Sequence, residues 1–141
     1  GSYALVTAFD VLEHVPNDLG AVRKIAHHLR PGGLFLCTVP AMPSLWSAHD
    51  EDLGHYRRYT QPQLKLAMEM ALIHPLYMGH FNSLLLPLVY LRKFNNGGPV
   101  TMPNRIVNAF CHMALQLESR LIGSVSLPVG SSLIALGTKH L

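Results

Sequence analysis

The fold is decided by three consecutive stretches: YALVTAF (residues 3–9), NDLGAVRKIAHHL (17–29) and LFLCTV (34–39). The first and third are short apolar runs rich in β-formers, which is typical of strands that are buried on both faces. The second places apolar side chains at helical spacing, and Asn17 or Asp18 can serve as its N-cap. Strand, helix and strand with short connections predict a βαβ unit, in which the two strands are parallel and the crossover is right-handed.

The rest of the chain continues the α/β pattern. Residues 41–59 are polar and irregular, and the capping box Thr60–Gln61–Pro62–Gln63 then predicts a helix to about Leu72. The sequence further predicts a strand over Leu76–Phe81, a short helix over Ser83–Phe94, a break at Asn95–Pro99, a longer helix over Pro103–Ile122 and a final strand over Ser132–Thr138. We therefore expect a single α/β domain over residues 3–141, with Gly1–Ser2 as an expression scar.

Composition narrows the function classes. The 141 residues are 49% hydrophobic with a net charge of +3, which excludes disorder and fits one domain with a buried core. Only 13% are charged, against about 25% in soluble domains, so part of the surface is expected to face a partner, a membrane or further protein. The single dense basic spot, Arg57–Arg58, argues against a nucleic-acid partner. Two cysteines, Cys37 and Cys111, build no disulfide framework, which favours a cytoplasmic location.

Two loops are expected to carry the chemistry, because ligands of open α/β sheets bind beyond the carboxyl ends of the parallel strands. In the first loop, residues 10–16, the side chains of Asp10, Glu13 and His14 stand at i, i+3 and i+4, so one helical turn would place them on one side. A carboxylate beside an imidazole is a plausible general base. The alternative is a solvated loop whose acids favour the amino terminus of the following helix.

The second loop, residues 46–59, combines histidines, acids, arginines and aromatic residues. Such a loop suits an anionic or ring-shaped substrate. The alternative is a surface loop with internal salt bridges. A mixed oxygen and nitrogen metal site built from His49 with Asp10, Glu13 and His14 matches no tight ligand spacing, so no metal is expected.

Two motifs of this chain resemble a known family. DVLEHV (residues 10–15) and LRPGG (29–33), joined by an amphipathic helix, resemble the segment from the fourth to the fifth strand of class I S-adenosylmethionine-dependent methyltransferases. The continuation SAHD (47–50) and GHYRRYT (54–60) is similar to one subgroup of that family. The resemblance implies a Rossmann-like, mostly parallel sheet flanked by helices, with an antiparallel last strand preceded by a helical insertion. It also implies S-adenosylmethionine as the cofactor and methyl transfer to an unidentified acceptor as the activity.

The resemblance assigns roles to residues of both loops. It implies that Phe9, Asp10, Val11 and Leu12 bind the cofactor, that Glu13 and His14 are catalytic, and that His49, His55, Arg57 and Tyr59 bind the substrate. Small-RNA 2′-O-methyltransferases use a related acid-x-x-Glu-His pattern for a divalent metal, and some quinone-biosynthesis O-methyltransferases look similar there.

One family motif has no counterpart in this chain. The family's glycine-rich cofactor loop is of the Glu/Asp-x-Gly-x-Gly type, and no Gly-x-Gly occurs in the sequence. We therefore expect an amino-terminally incomplete domain, in which residues 3–9 form an exposed edge strand open to homodimer formation. The alternative function is that of a non-catalytic half-domain, which acts as an interaction or dimerisation module.

The apolar insertion over residues 83–122 has more than one interpretation. Its most apolar run, Ser83–Leu91, contains Pro87 and is shorter than the roughly 20 residues that a membrane span requires. The insertion either caps a small-molecule or lipid-like acceptor, contacts a membrane peripherally, or packs as ordinary helices against the domain or a second copy.

Overall fold

The computed structural model describes residues 1–94, 104–122, 124–125 and 127–140. Its strands are β1 (Tyr3–Phe9), β2 (Leu29–Pro40), β3 (Ile73–Phe81) and β4 (Ser132–Lys139), and its helices are α1 (Asp18–His28), α2 (Ala48–Asp52), α3 (Gln61–Glu69), α4 (Leu86–Phe94) and α5 (Arg105–Ser119). Short 3-10 helices cover Leu12–His14 and Pro43–Leu45. The strands form one sheet in the order β1-β2-β4-β3, in which β1 and β2 are parallel and β4 is antiparallel to both of its neighbours. The expected α/β fold, mostly parallel with an antiparallel last strand, is confirmed.

The βαβ unit forms as its apolar pattern predicts. The side chain of Asn17 accepts a hydrogen bond from the Gly20 amide at 2.8 Å and so caps α1. Val22 and Ala26 are the buried residues of α1, and they belong to the core that packs on the sheet. Every second residue of β2 from Phe35 to Val39 is fully buried, which anchors the core at the centre of the sheet.

Two strands begin earlier than their sequence patterns predict. β2 starts at Leu29 because Leu29 pairs with Tyr3 before the register shifts, and the Lys139 ammonium donates to the Leu29 carbonyl at 2.9 Å. β3 starts at Ile73 and contains Pro75. Proline is tolerated there because β3 lies at the edge of the sheet, where one side of the strand needs no donor.

The insertion contributes little to the core. The break at 95–99 and the predicted helix start at Pro103 fall outside the described residues, while α5 lies within the predicted range. Only Ala114 and Glu118 of α5 are buried. Among the described helices, none is long and apolar enough to cross a bilayer.

The other edge of the sheet is apolar. In the described part of the chain β1 pairs on one side, with β2. Tyr3, Leu5 and Phe9 are each more than half exposed along this strand, so the prediction that β1 is buried on both faces is wrong. The exposed edge that the sequence predicts is therefore present in the described sheet.

Candidate functional site

The first loop leaves the sheet through a sharp turn at Asp10. This residue has a φ of 51°, a left-handed conformation that aspartate tolerates better than most residues. Its amide donates to the Thr38 carbonyl at 3.0 Å, which ties the turn to the adjacent strand β2. The 3-10 helix Leu12–His14 follows, and Leu12 anchors it because this side chain is only 1% exposed.

The second loop is organised around a fully buried carboxylate, that of Asp50. Its Oδ2 accepts hydrogen bonds from the amide and the hydroxyl of Ser47, at 3.0 and 3.2 Å. Arg58 donates to both carboxylate oxygens, from Nε at 2.8 Å and from Nη2 at 3.1 Å. Nδ1 of His55 lies 3.0 Å from Oδ1. One carboxylate therefore fixes the start of α2, an arginine and a histidine ring at the same time.

The protonation state of Asp50 follows from these contacts. Burial raises the pKa of the Asp50 carboxyl, but the hydrogen bonds from Arg58 and His55 outweigh burial and hold the pKa below its usual value. Asp50 is therefore ionised at neutral pH and acts as an acceptor only. His55 Nδ1 must then carry the proton, which leaves Nε2 free to accept one.

The two loops meet where His55 faces the first loop. The rings of His14 and His55 are in edge-to-face contact, with centroids 4.6 Å apart. A carboxylate oxygen of Glu13 and one nitrogen from each ring all lie within 4.8 Å of one another. The Tyr56 amide donates to the Glu13 carbonyl at 2.8 Å, which fastens the second loop to the first.

Glu13 is unusual because its side chain is buried without full satisfaction. The residue is 1% exposed, and its Oε2 has no hydrogen-bond partner in the described structure. Burial raises the pKa of this carboxyl, because a charge is poorly solvated there. An acid that is easily protonated, beside two imidazoles, suits proton transfer; one carboxylate oxygen with two imidazole nitrogens is also a set that can hold a divalent cation.

The structure brings only some of the predicted site residues into one cluster. Glu13, His14 and His55 come together, whereas Asp10 and His49 are not members of this cluster. Phe9 and Val11, beside Asp10, are about half exposed at the end of β1.

Arg57 and Tyr59 are engaged elsewhere. Arg57 pairs with Asp18 at 2.7 Å and also donates to the Pro16 carbonyl at 2.6 Å. Tyr59 is 3% exposed, and its hydroxyl donates to Asp18 at 2.9 Å. The structure gives both residues contacts that fasten the second loop to the start of α1, whereas the salt bridge within the loop is that of Asp50 with Arg58.

Neither the central role of Asp50 nor the helix α2 was predicted from the sequence. The pattern Ser47-x-x-Asp50 is a signal of the same kind as Thr60-x-x-Gln63, a polar residue that can reach back to the N-cap three positions earlier. It was obscured because the intervening residues are polar, so that no apolar periodicity marks the five-residue helix.

A cavity of about 630 Å³ is lined in part by the second loop, although Glu13, His14 and His55 are not among its lining residues. It lies between the carboxyl end of β2, the second loop and α4, and its lining includes Pro40, Trp46, His49, Arg58, Val89 and Lys93. Arg58 links the cavity to the second loop's network, because it is a lining residue and its guanidinium binds the same carboxylate as the His55 ring. An aromatic ring with nearby cations suits an acceptor that carries an apolar ring or an anionic group.

The residues at the end of β1 fit one side of the cofactor that the resemblance implies. Phe9 and Val11 offer exposed apolar surface, and the exposed carboxylate of Asp10 suits a cationic group. The left-handed turn at Asp10 presents this surface beyond the strand end. The close backbone approach that a Gly-x-Gly loop would supply has no counterpart among the described residues.

Comparison with protein families gives a match over the amino-terminal half. The model of the family described as "Methyltransferase domain" matches residues 1–71. The ubiquinone biosynthesis O-methyltransferase of Xanthomonas campestris pv. campestris is 44% identical over 48 residues, which is 33% of this chain and 20% of that protein. This chain therefore matches a small part of that curated relative's length.

Solved structures resemble the whole fold. A SAM-dependent methyltransferase from Archaeoglobus fulgidus covers 97% of this chain with a TM-score of 0.55 at 13% identity, and 60% of that protein is covered. Phosphoethanolamine N-methyltransferase 2 of Haemonchus contortus, in complex with S-adenosyl-L-methionine, covers 99% with a TM-score of 0.56 at 12% identity, and 34% of it is covered. At these identities the likeness establishes the Rossmann-like fold.

Proposed function

This chain belongs to the methyltransferase domain family, and on that basis we propose that it serves S-adenosylmethionine-dependent methyl transfer to an acceptor whose nucleophilic atom carries a removable proton. The observation that supports a proton-removing step is the Asp50–His55 pair, which lies against Glu13 and His14 at the carboxyl ends of the parallel strands. Ligands bind at this end of open α/β sheets.

We propose that His55 removes the proton, because its ring is paired with the ionised carboxylate of Asp50. Asp50 fixes Nδ1 as the protonated nitrogen, so Nε2 is the basic atom and can take the proton of a hydroxyl or similar group. The ionised carboxylate also stabilises the imidazolium that forms. His14, in edge-to-face contact, limits the rotation of the His55 ring. A carboxylate oxygen of Glu13 completes the polar side of this cluster, within 4.8 Å of a nitrogen of each ring.

The segment Phe9–Leu12 is the proposed wall for the cofactor. When bound, S-adenosylmethionine supplies an electrophilic methyl group on a sulfonium sulfur. Phe9 and Val11 would contact its apolar parts, and the carboxylate of Asp10 would attract its positive charge. Leu12 holds the wall in place, because it is buried in the core.

The cavity of about 630 Å³ is the proposed acceptor site. Trp46 and Val89 supply apolar contacts, while His49 and Lys93 supply polar ones on the same lining. Lys93 donates to the Ser44 carbonyl, which keeps its ammonium at the cavity wall. A small or lipid-like molecule with a ring and an anionic substituent fits this lining.

The test is a transfer assay with S-adenosylmethionine labelled in the methyl group and a panel of phenols and hydroxy acids. We expect His55→Gln to lower kcat by roughly 10²-fold or more, because general-base catalysis contributes about that much. His27→Gln is the matched control, since His27 is an exposed histidine of α1. Equal turnover of the two variants would contradict the role of His55.

A second candidate is a divalent cation held by Glu13, His14 and His55. It is favoured by one observation, the buried Oε2 of Glu13 that lacks a partner. Calorimetric titration with Zn²⁺ and Mn²⁺ tests it, with Glu13→Gln as the loss variant and Glu51→Gln, an exposed carboxylate, as the control. Saturable binding that only Glu13→Gln abolishes supports the cation, and absence of binding to the parent chain rejects it.

A further inference from the structure

Helix α5 turns an apolar stripe towards solvent. Ile106, Phe110, Met113 and Leu117 recur at i, i+4, i+7 and i+11, so they share one face of the helix. Their exposed fractions are 81%, 61%, 66% and 55%. The helix lies on the rest of the molecule through Ala114 and Glu118 instead. A face of this kind marks an interaction surface rather than ordinary helix packing.

The charges around this stripe are of one sign. Residues 83–130 contain a single acid, Glu118, and four basic residues, which are Arg92, Lys93, Arg105 and Arg120. Glu118 is 3% exposed, and its Oε1 accepts hydrogen bonds from the amides of Ser83 and Leu84. The exposed ionic groups on α5 and its carboxyl end are therefore Arg105 and Arg120, both cationic. An apolar stripe between cations complements an anionic surface.

A second copy of this chain fits the stripe less well. If two α5 helices packed antiparallel, Arg105 of each would approach Arg120 of the other, and parallel packing would juxtapose identical arginines. The only acid of the helix is already committed to Ser83 and Leu84. Self-association would bury like charges side by side, which is unfavourable.

We propose that α5 docks on the surface of a lipid bilayer that contains anionic lipids. The helix has 15 residues, too few to span a bilayer but enough to lie in its interface. In that orientation Phe110 and Met113 enter the boundary of the acyl chains, and Arg105 and Arg120 meet the phosphates at the two ends.

A second set of apolar side chains adjoins this surface. Leu84, Leu88 and Leu91 recur at i, i+4 and i+7 and are 48%, 45% and 63% exposed. The hydrogen bonds from Ser83 and Leu84 to Glu118 hold this segment against α5. The segment enlarges the apolar area available to a bilayer.

Co-sedimentation of the full chain with vesicles tests the proposal. We expect binding to vesicles of phosphatidylcholine with 30–40% phosphatidylglycerol, roughly tenfold weaker binding to phosphatidylcholine alone, and weakening by added salt. The double substitution Phe110→Ser with Met113→Ser should reduce binding to the anionic vesicles at least about tenfold, because two apolar anchors are removed. Both side chains are exposed, so the variant keeps its fold. Leu66→Ser is the matched control, since Leu66 is 57% exposed on α3, away from this surface.

A charge variant separates the electrostatic contribution to vesicle binding from the apolar one. Arg105→Gln with Arg120→Gln should weaken binding to anionic vesicles by roughly fivefold for each arginine, and should leave binding to pure phosphatidylcholine unchanged.

Two results would overturn the proposal. One is equal sedimentation with anionic and neutral vesicles in the parent chain. The other is a dimer in light scattering that Phe110→Ser with Met113→Ser converts to a monomer without a change in sedimentation, because the stripe would then bind a second copy.

Discussion

The sheet region and the helical insertion of this molecule are built on opposite principles. Residues 3–82 hold seven of the eight acids, and two of these form ion pairs with arginines, Asp50 with Arg58 and Asp18 with Arg57. Residues 83–130 hold one acid, and their described apolar side chains are mostly exposed. The buried cluster that forms the core lies entirely in the sheet, α1, α3 and the loops between them.

The difference indicates where each region obtains its stability. The sheet region is stabilised by its own core and its own ion pairs. In the insertion, α5 buries only Ala114 and Glu118 and leaves most of its apolar side chains exposed. Substitutions should therefore affect folding in the first region and association in the second.

The largest effect is expected at Asp50. Asp50→Asn removes the charge that Arg58 and His55 share, and leaves a guanidinium that is only 12% exposed without its partner. We expect the free energy of unfolding to fall by about 4 kcal/mol, because breaking a buried ion pair leaves an uncompensated charge. Urea unfolding measures this loss.

Asp52→Asn is the matched control for that substitution. Asp52 belongs to the same helix and is exposed, so its unfolding free energy should change by less than about 0.5 kcal/mol. Equal losses in the two variants would mean that the network around Asp50 does not hold the second loop.

A smaller loss of stability is expected from truncating a buried leucine of the sheet region, and almost none from truncating an exposed leucine of the insertion. Leu64 of α3 is fully buried, whereas Leu117 of α5 is 55% exposed. Leu64→Ala should lower the free energy of unfolding by about 3 kcal/mol, through lost burial and the remaining cavity. Leu117→Ala should change it by less than about 0.5 kcal/mol. Comparable losses at both positions would show that α5 is packed as tightly as α3.

The smallest effect concerns pH. Burial raises the pKa of Asp18, but hydrogen bonds from Arg57 and Tyr59 outweigh it and hold the pKa below the ordinary 3.8. The folded state therefore binds the proton more weakly than the unfolded state. The resulting stability is present above about pH 4 and is lost as the pH falls through the folded pKa.

Urea midpoints at pH 7 and pH 3 check this expectation. The decrease in the urea midpoint from pH 7 to pH 3 should be smaller in Asp18→Asn than in the parent chain. In Asp52→Asn this decrease should be as large as in the parent chain. If the urea midpoint of Asp18→Asn fell as much between pH 7 and pH 3 as that of the parent chain, the Asp18 carboxylate would not contribute to the acid sensitivity of the fold.

Much of the fold could be predicted from the sequence, because elements that pack on a core repeat their apolar residues with the period of a helix or a strand. β1 matches its predicted bounds, and α1 and β4 each lie within about one residue of theirs. The early starts of β2 and β3 were missed, since they depend on pairing with Tyr3 and Lys139 across the sheet. Such pairing is a tertiary effect that no local pattern reveals.

The candidate site could be predicted only where its residues are close in sequence. The spacing of Glu13 and His14 placed them together, whereas the approach of His55 depends on Asp50, a contact within a loop that has no period. The side chains of Arg57 and Tyr59 are of types that often bind substrates, yet in the structure both contact Asp18 instead. Tyr59 and Asp18 are 41 residues apart in sequence, so no local pattern could predict this contact.

We propose that the turn after β1 forms one wall of the cofactor site. Titration of the ¹⁵N-labelled chain with S-adenosylhomocysteine, followed by amide chemical shifts, tests it most directly and detects even weak binding. The account predicts saturable shifts at Asp10, Val11 and Leu12 and in the second loop, with α5 unaffected. Shifts confined to α5, or none at millimolar ligand in a folded sample, would contradict it.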